Sequence, residues 1–439
     1  LFFKVIPKLS QNLNLGIASA SDLQQAQPLQ KQAMFLNMAD GRRCEYENAG
    51  AVQIQILRQF RYISKPFLEP ILSGLVSWWL LMIPLIDYKP TKIIIRMPNW
   101  IGDLVMATPI LTDVRRAYPN AHITAMCRTP ICDLLKEDLD IDELFCFSKV
   151  NTFGRRSEKR DIIEKIRKGT YDLGILLTHS FSSAWLFWRG NVQRRLGYRG
   201  NLRNLFLTDK IDLPENVREL HLVNTYKMLL GPLGIPVSET KPRIFLKDKE
   251  LEEARILLRR LGVSPGARLI GINPGAAYGS AKCWLPERFR AVTEKLLKLE
   301  NVHIVYFGDS TTQSLVREIC QGLPVLNLAG LTTLRELASL IKLCSVMLTN
   351  DSGPMHIAAA VGTPLVALFG STNEIATGPY KTGTVIHKHV DCSPCYKRVC
   401  PIDFRCMKRI ETDEVYDALV KTLNTSKRNV EKTLEENRT

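Results

Sequence analysis

From residue 91 onward the chain alternates short apolar runs with amphipathic stretches. KIIIR (92–96), ITAMC (123–127), LGILLT (173–178), LIGIN (269–273), HIVYFG (303–308), VMLTN (346–350) and PLVALFG (364–370) are apolar almost without interruption. A strand with one wet face alternates with period two. A continuous run implies cover on both faces, and hence a parallel sheet with crossover helices. Between the runs, LEEARILLRRLG (251–262), with Gly262 as its stop, and TLRELASLIKLC (333–344) read as helices. The strand–loop–helix theme restarts near 269, after the charged stretch KDKELEEA (247–254). Two doubly wound halves are expected, over about 91–245 and 246–425, with ligands outside the carboxyl ends of the strands. The polar tail 426–439 is expected to fray.

Upstream the pattern is different. Residues 1–56 are rich in Gln, Asn, Ser and Ala, show no sustained period and receive no element. The opening LFFKVIPKLSQNLN lacks the uninterrupted apolar core of a signal peptide. ILSGLVSWWLLMIPLI (71–86) has sixteen residues without a charge, short of the ~20 that usually span a bilayer. Arg58, Arg61 and Lys65 precede it and Trp78 and Trp79 lie within it. Two readings fit: a helix over 66–86 lying in a membrane surface, or a buried helix packed on the next domain. Residues 1–90 are read as an N-terminal extension.

Composition narrows the function classes. The 439 residues are enough for two domains, and 23% charged with 45% hydrophobic residues exclude wholesale disorder. A net charge of +15 suits an anionic substrate or an anionic membrane surface, as well as plain solubility. No RNA-binding signature or zinc-finger spacing occurs, so nucleic acid is not an expected partner. Eleven cysteines are too few for a disulfide scaffold in a chain this long, and most read as small buried hydrophobes in a reduced compartment. CSPCYKRVCPIDFRC (392–406) places four of them, Cys392, Cys395, Cys400 and Cys406, as C-x2-C-x4-C-x5-C. That spacing reads as a loop staple, zinc or disulfide, rather than as catalytic thiols.

Three turns carry candidate chemistry. NWIGDLVMATP (99–109) follows KIIIR as strand, glycine turn and helix, a layout that welcomes phosphate at the free N–H groups of the helix start. Asp103 would repel phosphate there, and on its own reads as a first-turn acid that favours the helix dipole. In NPGAAYGSAKCW (273–284), Gly275 permits close backbone approach, Tyr278 lies in the loop and Lys282 adds a positive charge. Its glycine spacing is not that of a Walker loop. In TNDSGPMHIAAAVGTPLVALFG (349–370), Asp351 and Ser352 are N-cap candidates, while Gly353 and Pro354 suit the turn and first helical position. The amides of 352–355 are expected to hold a diphosphate, with His356 one turn in and aimed at the same ligand.

Elsewhere, no acid occurs between Asp172 and Asp209, whereas Arg189, Arg194, Arg195, Arg199 and Arg203 all do. Arginine captures carboxylate and phosphate in bidentate fashion, so this segment is a candidate acceptor patch. DLDID (138–142) contains D-x-D strings but sits between a helix and a strand, and reads as a surface loop rather than a metal site.

The three turns, in this order, resemble the ADP-heptose:lipopolysaccharide heptosyltransferases of glycosyltransferase family 9. THSFSSAWLFWRGNVQRRLGYRGNLR (178–203) is similar to the acceptor-side segment of the heptosyltransferase II subgroup, and the likeness covers about 91–425. The resemblance implies an α/β fold of the GT-B type, with two Rossmann-like, doubly wound parallel-sheet domains facing a central cleft. It places the acceptor on the first domain and the nucleotide-sugar on the second. It implies inverting transfer of heptose from ADP-heptose to a lipid A–Kdo–heptose type acceptor, in lipopolysaccharide core biosynthesis. The enzyme would work in the cytoplasm at the inner-membrane surface, with no cofactor and no metal. Asp103 becomes the general base. Lys282, Asp351, Ser352, Gly353, His356, Gly275 and Tyr278 fall on the donor side, and Arg195, Arg199 and Ser180 on the acceptor side. Two departures bear on the donor: Cys283 stands where a second basic residue often follows the lysine, and only Asp309 offers an acid for the ribose. The alternatives are another nucleotide-sugar donor within the family, or a non-catalytic protein that binds nucleotide-sugar or lipid.

Overall fold

All seven apolar runs form strands in the computed structural model, which describes residues 89–148, 156–200 and 202–436. The 66–86 segment and the rest of 1–88 lie outside the described residues. The first sheet comprises β1 (Lys92–Arg96), β2 (His122–Arg128), β3 (Glu143–Phe147), β4 (Leu173–Leu176), β5 (Arg194–Tyr198) and β6 (Asp209–Ile211). Its order is β3-β2-β1-β4-β5-β6, every pair parallel. The second comprises β7 (Arg268–Asn273), β8 (Val302–Tyr306), β9 (Leu326–Asn327), β10 (Val346–Asn350), β11 (Leu365–Phe369) and β12 (Thr384–His387). Its order, β12-β11-β10-β7-β8-β9, repeats the first, again all parallel.

Both-face cover explains the strand composition. Ile93, Ile94 and Ile95 are all fully buried, as are Leu365 to Phe369. The order reverses between β1 and β4 in one sheet and between β7 and β10 in the other. Such switch points open crevices at the carboxyl ends of the strands. The turns singled out in the sequence follow β1, β7 and β10, and therefore sit at those crevices.

The sheets are joined by a shared apolar core that includes Leu104 and Val105 from one half and Met355 and Ile357 from the other. The helix Ile101–Ala107 lies against the helix Gly353–Val361. Glycine makes this approach close in both directions. A Cβ on Gly102 would fall 2.6 Å from Cδ2 of His356, and one on Gly353 would fall 2.9 Å from Cβ of Ile101.

Three expectations need correction here. The tail expected to fray from 426 instead continues the helix Thr412–Glu436, since SKRNVEKTLEE has neither glycine nor proline to stop propagation. DLDID does connect a helical turn to β3, but it is not a free surface loop: Asp138 is buried, and Arg243 pairs with both Asp138 and Asp140. Asp142 accepts the Ile123 amide at 2.7 Å and pairs with Arg115. Two of the eleven cysteines, Cys132 and Cys146, form a disulfide. The four of the C-x2-C-x4-C-x5-C run are free thiols, which removes the disulfide form of the expected staple and leaves the zinc form.

Candidate functional site

Arg96 ends β1 and turns its guanidinium back to Asn99, donating to Oδ1 at 2.6 Å. This fixes the turn before the helix Ile101–Ala107, which begins without a side-chain cap. Asp103 lies in its first turn, half-buried, and makes no hydrogen bond or ion pair among the described residues. Loss of water pushes its pKa up to about 6; the Lys282 ammonium acts against that shift and the Asp351 carboxylate adds to it. Asp103 of one half thus feels the charges of a pair held by the other. At neutral pH it is an ionised carboxylate without a proton donor of its own.

On the opposing half, two buried asparagines shape the crevice. Asn273 ends β7; its amide donates to the Gly275 carbonyl at 2.9 Å and to Ser352 Oγ at 3.3 Å. Asn350 ends β10, donates to the Pro274 carbonyl at 2.7 Å and accepts the Trp284 amide at 3.1 Å. Sequence reasoning passed over both. The signal was present: LIGIN and VMLTN are apolar runs that each end on an asparagine before a tight turn. Gly275 is required by Thr312, whose Cγ2 would lie 2.6 Å from an added Cβ.

Lys282 sits on the short helical turn Ser280–Lys282, its Nζ 2.5 Å from Oδ2 of Asp351 and 4.9 Å from the centre of the Tyr278 ring. Asp351 Oδ2 also accepts from Thr372 Oγ1 at 2.6 Å. With its side chain only 4% exposed, Asp351 clamps Lys282 and does not cap the helix, whose N-cap position is Ser352. Tyr278 is anchored in turn, donating its hydroxyl to the Tyr396 carbonyl at 2.7 Å.

Ser352 occupies the N-cap position of Gly353–Val361, yet its hydroxyl does not cap the helix; it bonds Thr349 Oγ1 at 3.0 Å. The expected row of four ligand-facing amides is shorter than anticipated. Pro354 has no N–H, and the Met355 amide bonds the Ser352 carbonyl. The Ser352 and Gly353 amides remain without an acceptor among the described residues, at the positive end of a nine-residue helix. His356, expected to point at the ligand, is instead buried against Gly102, and loss of water pushes its pKa down to about 4. It is a neutral ring in the seam.

The arginine segment is mostly internal. Arg194 grips Asp209 at 2.8 Å. Arg195 donates to the carbonyls of Phe206, Val192 and Gln193, so its guanidinium is occupied by backbone and does not form part of an open patch. Arg203 is fully buried and donates to the Thr178 carbonyl. These side chains complete β5 and the loop after it, where the backbone leaves carbonyls that only long donors reach. Two are exposed: Arg189, over the face of Trp188, and Arg199, 3.3 Å from Asp212. Ser180 caps the helix Phe181–Arg189, accepting the Ser183 amide at 3.3 Å. Asp309, the candidate for the ribose, accepts the Thr311 and Thr312 amides at 3.0 and 3.1 Å, closing its own turn.

Residues 159–404 match the family model described as glycosyltransferase family 9 (heptosyltransferase). Lipooligosaccharide heptosyltransferase 2 of Haemophilus ducreyi is 30% identical, over 68% of this chain and 89% of its own. The structure of Escherichia coli ADP-heptose lipopolysaccharide heptosyltransferase II superimposes with a TM-score of 0.67 at 26% identity, covering 76% of this chain and 99% of that one. The family 9 glycosyltransferase of Veillonella parvula does so with a TM-score of 0.69 at 25% identity, covering 77% and 99%.

Proposed function

The chain belongs to glycosyltransferase family 9, and from that premise we propose that it transfers heptose, with inversion, from ADP-heptose to the inner core of lipopolysaccharide. Asp103 takes the proton of the acceptor hydroxyl as that oxygen attacks the anomeric carbon. The diphosphate leaves on the far side, toward Lys282 and the Ser352 and Gly353 amides. The observation that carries this reading is that the helix bearing Asp103 packs on the helix Gly353–Val361, whose start adjoins the Lys282–Asp351 pair of the other half. A carboxylate with a pKa near 6 is well matched to accepting a proton at neutral pH. Fixed donors aimed at a departing diphosphate stabilise charge where it develops. Asp351 and Thr372 hold the lysine at its post. Gly275 and Tyr278 shape the loop beneath it, and His356 keeps the two halves in register. The carbon is already activated by its diphosphate, so the displacement calls for no redox or carrier cofactor.

Ser180 caps the helix Phe181–Arg189, which packs on the turn Arg203–Leu205; together with Leu202 they expose Phe181, Trp188 and Leu205, and Arg199 precedes that turn. An apolar rim carrying arginine suits a lipid acceptor at an anionic membrane surface, and supports a peripheral site of action on the cytoplasmic face of the inner membrane. Among the described residues no helix is long and apolar enough to cross a membrane.

The decisive measurement is ADP release and heptosylated product, with ADP-heptose and a heptose-terminated lipid A–Kdo acceptor, for wild type and Asp103→Asn. Product formation that is equal in the two removes Asp103 from the mechanism. A second reading, another nucleotide-sugar donor, draws on Asp309 being engaged in its own turn, which leaves the ribose without an acidic partner. Thermal stabilisation by a uridine or guanosine sugar in preference to ADP-heptose would select it.

A further inference from the structure

At the carboxyl end of the edge strand β12, Glu374, His387 and His389 bring one ligand atom each within 4.8 Å of one another, the one such group of histidine, cysteine or acidic side chains among the described residues. His387 is the last residue of β12 and His389 lies two residues on, their rings meeting on one side of the chain, while Lys388 between them turns to Glu414 at 2.8 Å. Glu374 opens the short helix Glu374–Thr377 that follows β11, which pairs with β12 in register Phe369 to His387.

The hydrogen bonds around His387 decide its tautomer. Ser393 Oγ donates to the Gly370 carbonyl. Its one hydrogen is thereby committed, so it can only accept from His387 Nε2, which lies 3.0 Å away. Nε2 therefore carries the ring proton and Nδ1 presents a bare lone pair. That Nδ1 is buried, in a side chain 4% exposed, and lies 2.8 Å from Oε2 of Glu374 without making a hydrogen bond to it. A lone pair and a carboxylate oxygen at that separation repel each other unless a positive charge, a proton or a metal ion, is shared between them. The other Glu374 oxygen stands 3.6 Å from His389 Nε2, and the two imidazole rings are 4.3 Å apart.

We propose that Glu374, His387 and His389 form a binding site for a divalent cation of the zinc type. Two neutral imidazoles and one carboxylate are borderline ligands suited to Zn2+, and a ring nitrogen whose partner nitrogen donates to a fixed oxygen is the usual arrangement of a metal-bound histidine. His389 is 76% exposed, so the fourth position faces water. Glu374 lies two residues beyond Thr372, the hydroxyl that steadies Asp351. The cation would tie that loop to the end of β12. It is remote in sequence from Asp103 and takes no part in the displacement proposed above.

The test uses the full chain, stripped with a chelator and titrated with Zn2+ against a chromophoric competitor. Wild type is expected to bind an equivalent whose affinity falls about 10- to 100-fold in His389→Ala and in Glu374→Gln, and stays unchanged in Cys392→Ser/Cys395→Ser. His389 is exposed, so its replacement leaves the fold intact, which circular dichroism checks. Affinity unchanged in both the His389 and Glu374 variants, no binding by wild type, or loss confined to the cysteine variant overturns the proposal. Co2+ substitution gives an independent reading: visible ligand-field bands without thiolate charge transfer are expected, and their persistence in His389→Ala would also overturn it.

Discussion

Lys282 Nζ is paired with the Asp351 carboxylate at 2.5 Å, in a setting where the acid is 4% and the lysine 14% exposed. The cation that the loop offers to a ligand is therefore held by a buried counter-ion. Removing one member of such a pair strands the other charge, which costs about 3–5 kcal/mol. Lys282→Ala is expected to lower unfolding free energy by that order, read by denaturant titration, and to raise the KM for the donor more than that for the acceptor. Equal effects on both substrates would contradict the placement of Lys282 on the leaving-group side.

The Asp103 carboxyl, with its pKa near 6, sets the pH profile. The base form prevails above that value, so kcat/KM is expected to rise with pH through about 6 and then level off. Asp103→Asn should lose ~100-fold or more and flatten this limb.

The same shift has the opposite sign for stability. The folded pKa is raised above the ordinary 3.8, so the folded state holds the proton more tightly. Its contribution is complete below pH 4 and is lost as pH rises through 6, an effect on the order of 2–3 kcal/mol. Asp103→Asn is expected to be more stable than wild type at pH 8 and level with it at pH 4, by chemical denaturation at the two pH values. A base kept dry at the expense of stability is the pattern of a working group.

Gly102 and His356 meet where the halves touch, and a methyl group at Gly102 would lie 2.6 Å from the ring. Gly102→Ala is expected to cost about 1–3 kcal/mol and to slow transfer by misplacing the adjacent Asp103. The double variant Gly102→Ala/His356→Ala frees the space and should recover part of the rate. No recovery would place the damage elsewhere.

Arg195 and Arg199 are separated by their partners. Arg195→Ala leaves three carbonyls without their donor and should lower the melting temperature. Arg199→Ala should leave the melting temperature unchanged while raising the KM for an anionic acceptor. Calorimetry and steady-state kinetics on the two variants distinguish these roles.

The strands that carry the sheets were plain in the sequence because a doubly covered parallel strand is apolar at every position, as in KIIIR and LVALF. β5 was not, since it opens on Arg194 and Arg195, whose charges are met by Asp209 and by the carbonyls of Val192, Gln193 and Phe206 on either side of the strand. The short β9 and the edge strand β12 lack a full apolar run for the complementary reason: an outer position needs less cover.

The turns at Asp103, Lys282 and Ser352 were legible as well, because glycine, proline and a capping residue at fixed spacing admit few backbone paths. What those side chains face could not be read from the chain. Asp351 looked like a cap and is a clamp; His356 looked like a ligand contact and is a neutral wedge; the arginines looked like a patch and are largely internal. Local pattern determines backbone course, since it follows from propensities and from the periodicity of burial. The partner of a polar side chain is decided by which distant segments the packed sheets bring to the same crevice, and by how much water they leave there.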